Sequence, residues 1–205
     1  MLLVELKPLV GRLNGYSKQA LEDGVGLCVS RGHYEITVEH LLVKLLDDLQ
    51  SDIVLMLRQH GVDAALVRRA LEKSIEDMRT GNAGRPAFSP LLLELLQDAW
   101  LIASVNLFES RIRSGAILLA FLARATYYAT GDYATPLRAL NRETLLASFG
   151  QICSASIEET AAAADAPGGG EAAGAPAGDG SAIARFCENF TDKARAGKID
   201  PVFGR

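Results

Sequence analysis

No long apolar run, no basic cluster and few aromatic rings mark this 205-residue chain. Its longest apolar stretch, AILLAFLA at 116–123, falls well short of the roughly 20 residues a membrane helix needs. The opening MLLVELKPLV lacks the basic lead-in of a secretory leader, so a cytoplasmic location is expected. A formal net charge of -4, with Lys and Arg scattered, gives no electrostatic case for nucleic acid or an anionic membrane. The three cysteines, Cys28, Cys153 and Cys187, are far apart and odd in number, with no CxxC pair to chelate zinc or start a disulfide framework. Cys28, in GLCVS, reads as a small core residue.

Catalytic patterns are equally scarce. His33, His40 and His60 form no ligand spacing with neighbouring Cys or carboxylates, and His40 reads instead as the third residue of a helix capped by Thr37. GVG at 24–26 lacks the third glycine and the preceding strand of a dinucleotide fingerprint, and reads as a site of close helix packing. NFT at 189–191 matches a glycosylation acceptor, which has no meaning in a cytoplasmic chain. Glu22, Asp23, Asp47 and Asp48 read as solvated helix faces. With no clustered nucleophile, base or metal set, a free-standing helical enzyme is disfavoured.

What the chain does have is helical periodicity. TVEHLLVKLLDD places Leu41, Leu42, Leu45 and Leu46 on one broad face behind Thr37. SPLLLELLQDAWLIASVNLF opens with Ser89 as cap and Pro90 at the first helical position, then runs Leu92, Leu95, Leu96, Ala99, Trp100 and Ala103 down one side. Gly61 ends one helix and Asp63 caps the next. No segment alternates convincingly as a strand, so the expected fold is all-α.

Composition changes near residue 158. From Glu159 to Gly180, 17 of 22 residues are Ala, Gly or Pro and all four charges are acidic. Such a stretch cannot bury enough surface to offset its ordering entropy, and is expected to be a protease-sensitive linker spanning roughly 25 Å. Residues 181–205 follow it as a short polar tail whose scattered apolar residues include Phe186, Phe190, Val202 and Phe203.

The part before the linker is duplicated. Residues 21–46 overlay 96–122 at an offset of 75 and then, after one inserted residue, of 76. Each copy reads as a long helix, a polar connection, a capped apolar helix and a further helix pair, giving repeats of about 15–80 and 89–157. Two such units, each with an apolar face it cannot bury alone, should pack about a pseudo-twofold axis.

Ahead of the first repeat, Pro8 favours a short helix from about Pro8 to Leu13, with Asn14 capping the next. A helix this short must dock to exist. It either covers the end of the core or forms one wall of an apolar groove. In the second case Leu6, Leu9, Val10 and Leu13 line the wall, Leu21 and Val25 the floor and Phe88 the rim, and a helical peptide lies between them.

Duplicated four-helix units with TVEHLL after a loop, an Ala/Gly linker and the tail FTDKARAGKIDPVFGR resemble the N-terminal domain of Clp/Hsp100 unfoldases, with the tail similar to the opening of their first AAA+ module. RLN at 12–14, SDIVLMLRQHGV and above all FESRIRSG at 108–115 are similar to the ClpV branch, which serves bacterial type VI secretion. The resemblance implies a Clp N-domain fold and a substrate-recognition module whose ligand is the N-terminal helix of the large sheath subunit. It implies an ATP-driven hexamer, with ATP and Mg bound only by ATPase modules outside these residues, and a monomer for residues 1–205. Walker A needs G-x-x-x-x-G-K-[ST], whereas Gly197-Lys198 is followed by Ile199, so no cofactor or ATP hydrolysis is expected here. The alternative is the N-domain of a general disaggregase or protease-linked unfoldase that binds exposed apolar segments or an adaptor.

Overall fold

The computed structural model describes residues 6–159. The expected linker, from residue 160 onward, and the tail lie outside them. Eleven helices are described: α1 (Leu6–Val10), α2 (Gly15–Ser30), α3 (Val38–Leu45), α4 (Asp52–Gln59), α5 (Ala64–Glu76), α6 (Pro90–Leu101), α7 (Ser114–Ala123), α8 (Ala125–Tyr128), α9 (Ala134–Leu137), α10 (Arg142–Ala147) and α11 (Phe149–Cys153). Two strands of two residues each, β1 (Glu35–Ile36) and β2 (Ala87–Phe88), pair in parallel. No helix among the described residues is long and apolar enough to cross a membrane.

The start signals act as their chemistry requires. Asn14 Oδ1 accepts from Ser17 N at 2.8 Å, Asp63 Oδ1 from Ala65 N at 2.8 Å and Ser89 Oγ from Leu92 N at 3.2 Å, each satisfying an amide with no acceptor inside its helix. Thr37 and His40 form a capping box at the head of α3. Gly61, at φ +67°, lets the chain leave α4 by a left-handed turn.

The duplication is visible in the backbone. The caps Asn14 and Ser89 lie 75 positions apart, whereas α3 and α7 begin 76 apart, at Val38 and Ser114. The extra residue is taken up by a π-helical turn, Ile102–Asn106, that continues α6, since one insertion into an α-helix relaxes into such a bulge. Each repeat also reaches into the other. Leu13, ahead of α2, bridges in parallel to Ile112 in the loop before α7, while Phe88, ahead of α6, pairs with Ile36 in the loop before α3. The two connections are pseudo-equivalent, and they lock the repeats together beyond the packing of their apolar faces.

The core runs through both units. Helix α7 is buried on all sides from Ser114 to Phe121, and α3 from Val38 to Val43. Gly24 of α2 allows the close crossing expected of GVG, because a Cβ there would meet the His40 carbonyl oxygen at 3.0 Å; Gly26 faces open space. The second repeat departs from the expected helix pair, breaking after α7 into the short helices α8 to α11. The first repeat keeps α4 and α5 as helices of 8 and 13 residues.

Candidate functional site

Within the described residues helix α1 covers Leu6–Val10, and it ends earlier than the Pro8–Leu13 span expected from sequence. Pro8 is not its first residue, since Leu6 and Lys7 precede it in the helix. Gly11 N closes the last turn on Lys7 O at 3.1 Å, and the chain leaves the helix before Leu13.

The seven residues proposed to line a groove belong to one apolar assembly but differ in accessibility. Leu9, Val10 and Leu13 are buried, and Leu21 and Val25 are wholly so at 0 % exposure. Leu6 and Phe88 are half-buried and pack against the same core. In this conformation Leu21 and Val25 offer no surface to a ligand, and only Leu6 and Phe88 present appreciable area. The burial of Leu9, Val10 and Leu13 follows from α1 packing on α6.

What fastens this N-terminal segment is the stretch FESRIRSG. Ile112 N donates to Arg12 O at 2.7 Å and Asn14 N to Ile112 O at 3.0 Å, while the Arg111 guanidinium donates to Gly11 O. Arg12 in turn stacks 4.7 Å from the centroid of Trp100 on α6. Thus RLN and FESRIRSG, about a hundred positions apart, form one clasp.

The same stretch carries a buried ionic centre. Arg113 binds both oxygens of Asp52, Nε to Oδ2 at 2.8 Å and Nη2 to Oδ1 at 2.9 Å, and also reaches Glu109 and Glu159. Glu158 accepts from Asn14 Nδ2 at 2.7 Å, Ser114 N at 2.9 Å, Asp52 N at 3.0 Å and the Ser114 hydroxyl. One carboxylate therefore caps the N-termini of both α4 and α7. Burial, followed by the charge of Asp52, pushes the Glu158 pKa up, and the donors around it oppose that rise. Glu159, assigned to the linker by composition, belongs instead to the folded part through Arg113.

Sequence reasoning missed two further features. Leu101 at the end of α6, Val105 in the π-helical turn and Phe108 just beyond it are exposed apolar side chains, Phe108 at 88 % exposure. Apolar residues off the core-facing side of a periodic helix were the available signal. The other is the convergence of Cys28, His33 and His40, whose donor atoms lie within 4.8 Å of one another although their spacing matches no ligand motif. A cavity of about 340 Å³ between α2, α3 and α5, lined by Leu27, Arg31, Val43, Lys44, Arg68 and Ile75 among others, includes none of the groove residues.

The fold occurs in known proteins. The AAA+ ATPase ClpV1 of Pseudomonas aeruginosa is 28% identical over 206 aligned positions, which cover 96% of this chain and 23% of that protein. The chain thus spans about a quarter of that relative's length. The N-domain of ClpV from Vibrio cholerae superposes with a TM-score of 0.72 at 42% identity, covering 77% of this chain and 95% of that one. A complex of a ClpV N-domain with a VipB peptide gives 0.71 at 42% identity, covering 77% and 97%. Residues 12–130 match the model of the Clp repeat (R) N-terminal domain, more than half of the sequence, and the chain belongs to that family, with ClpV N-domains of type VI secretion systems among its structural neighbours.

Proposed function

We propose that this chain is the substrate-recognition domain of a ClpV-type unfoldase of type VI secretion. It binds the N-terminal helix of the large sheath subunit, so that ATPase modules elsewhere in the protein can disassemble and recycle contracted sheath. The observation that carries the reading is the 42% identity to a ClpV N-domain solved with a VipB peptide. It is supported by the clasp that joins RLN to FESRIRSG and docks α1 on α6. Binding energy would come from apolar anchors of a helix at i, i+3, i+4 and i+7 against α1 and Phe88, with no covalent chemistry by this domain. Phe88 and Leu6 would meet the ligand first. Leu9, Val10 and Leu13 support them from beneath, and contribute area of their own only if α1 shifts on α6.

The burial pattern separates two variants of the proposed site. Phe88→Arg should weaken a sheath-derived helical peptide by about 2 kcal/mol, some thirtyfold, because a desolvated charge replaces an apolar anchor. It should lower the melting temperature far less than a charge at a buried position, because Phe88 is only half-buried and its pairing with Ile36 is made by the backbone. Leu13→Arg should collapse the melt, since Leu13 is 4% exposed and held in the bridge to Ile112. Fluorescence anisotropy and circular dichroism on the same samples decide the matter. Unchanged affinity in Phe88→Arg removes Phe88 from the site. Equal affinity for unrelated amphipathic helices favours a general disaggregase or adaptor-binding domain instead.

A further inference from the structure

Cys28 lies in the last turn of α2, His33 in the turn that follows and His40 in the first turn of α3, all three buried. His33 Nδ1 is 2.9 Å from His40 Nε2. The Thr37 amide donates to His40 Nδ1 at 3.2 Å, which leaves the ring proton of His40 on Nε2, directed at His33 Nδ1. The Cys28 sulfur faces the carbonyl oxygens of Glu35 at 3.3 Å and His33 at 3.8 Å. Donor atoms of Cys28, His33 and His40, one from each, thus lie within 4.8 Å of one another, with the Glu35 carbonyl oxygen against the Cys28 sulfur.

We propose that Cys28, His33 and His40 bind one Zn²⁺ ion between them, with the Glu35 carbonyl oxygen as the available fourth donor. Two nitrogens bound tetrahedrally at about 2.0–2.1 Å from zinc stand roughly 3.3 Å apart, so the imidazoles need to separate by a few tenths of an ångström and to turn from each other toward the ion. The remaining hydrogen bond suits a liganded histidine. When His40 gives Nε2 to the metal, its proton moves to Nδ1 and is donated to Thr37 Oγ1, 2.9 Å away, the outer-shell bond that orients a metal-bound imidazole, while the Thr37 amide gives up Nδ1 as its acceptor and turns to solvent. The proton balance is simple: the Cys28 thiol loses one proton to solvent, and both histidines enter neutral. Burial, which for His40 is reinforced by the neighbouring His33 and for His33 by Arg31, lowers both pKa values and keeps the imidazoles unprotonated at neutral pH. The ion would tie the end of α2 to the start of α3, independently of any bound peptide.

The test is Co²⁺ titration of the full chain after treatment with chelator. One equivalent should bring up ligand-field bands and a thiolate-to-metal band, both lost on adding Zn²⁺, with release of one proton per ion. Cys28→Ser should abolish the thiolate band while its circular dichroism spectrum remains that of the folded chain. The double variant Cys153→Ser, Cys187→Ser should keep the band, and so should His60→Asn. No spectrum at one equivalent, or a thiolate band that survives in Cys28→Ser, overturns the proposal and leaves the three side chains as a hydrogen-bonded clip.

Discussion

Phe108 has φ +56°, a left-handed conformation that costs a side chain bearing Cβ about 1 kcal/mol or more. Its pseudo-equivalent 76 positions earlier is Gly32, at φ +65°, where the same turn carries no such cost. Because Phe108 is almost fully exposed, little packing offsets the strain. Phe108→Gly should therefore raise stability by up to about 1 kcal/mol, and Phe108→Ala, which keeps the strained geometry, should not; thermal melts of the two variants distinguish them. A second residue-level effect concerns His40, whose pKa falls to about 4 through burial first and the neighbouring His33 second, with Glu39 opposing. Its neutral form is the folded form. Stability is full above the unfolded value near 6.5 and is lost as pH falls towards about 4, by up to about 3 kcal/mol from this group. Urea midpoints of the chelator-treated chain at a series of pH values measure it, and a flat profile refutes it. His40's capping role was legible, since T-x-x-H ahead of an apolar run is a local pattern. Its neighbourhood was not: Cys28 and His33 reach it only because Gly32 reverses the chain between them.

Among the helices, closeness of approach is decided by side chains that are missing. Gly24 lies where α2 crosses α3, and a methyl group there would press on the His40 carbonyl, backbone against backbone. Gly26, two positions on, meets nothing within 4 Å. Gly26→Ala should thus stabilise the chain by about 0.5–1 kcal/mol through helix propensity, whereas Gly24→Ala should destabilise it; denaturant titration of both checks the pair, and equal responses would contradict the crossing. Helix ends were well anticipated because caps act over three residues: Asn14, Thr37, Asp63 and Ser89 all open helices. The end of helix α1 was misplaced because Pro8 speaks to where a helix can start and not to where it stops, and the chain leaves this one after Val10. The strands escaped notice for a similar reason. Two residues carry no period, and each pair exists only because the other repeat supplies its neighbour.

Across the whole molecule, the single inserted residue of the duplication was legible from alignment of the chain on itself, but the π-helical turn that accommodates it was not. The groove was less legible. Periodicity identifies which residues are apolar but does not distinguish a floor open to a ligand from a core closed over, and Leu21 and Val25 are the latter here. The carboxylate centre could not be read at all, since Asn14, Asp52, Ser114 and Glu158 meet only after both repeats have folded. Glu158→Ala should strip an acceptor from two helix N-termini and lower stability by about 2 kcal/mol or more, read as a shift in urea midpoint with unchanged slope. A shift of a few tenths would show the centre to be dispensable. Glu158 and Glu159 are also the last described residues before the sequence continues toward residue 205. Tension applied from that side reaches the domain at bonds made to α2, α4 and α7 together. A load divided among parallel bonds must break them at once rather than in succession, so the domain should act as a stiff handle when the chain is pulled.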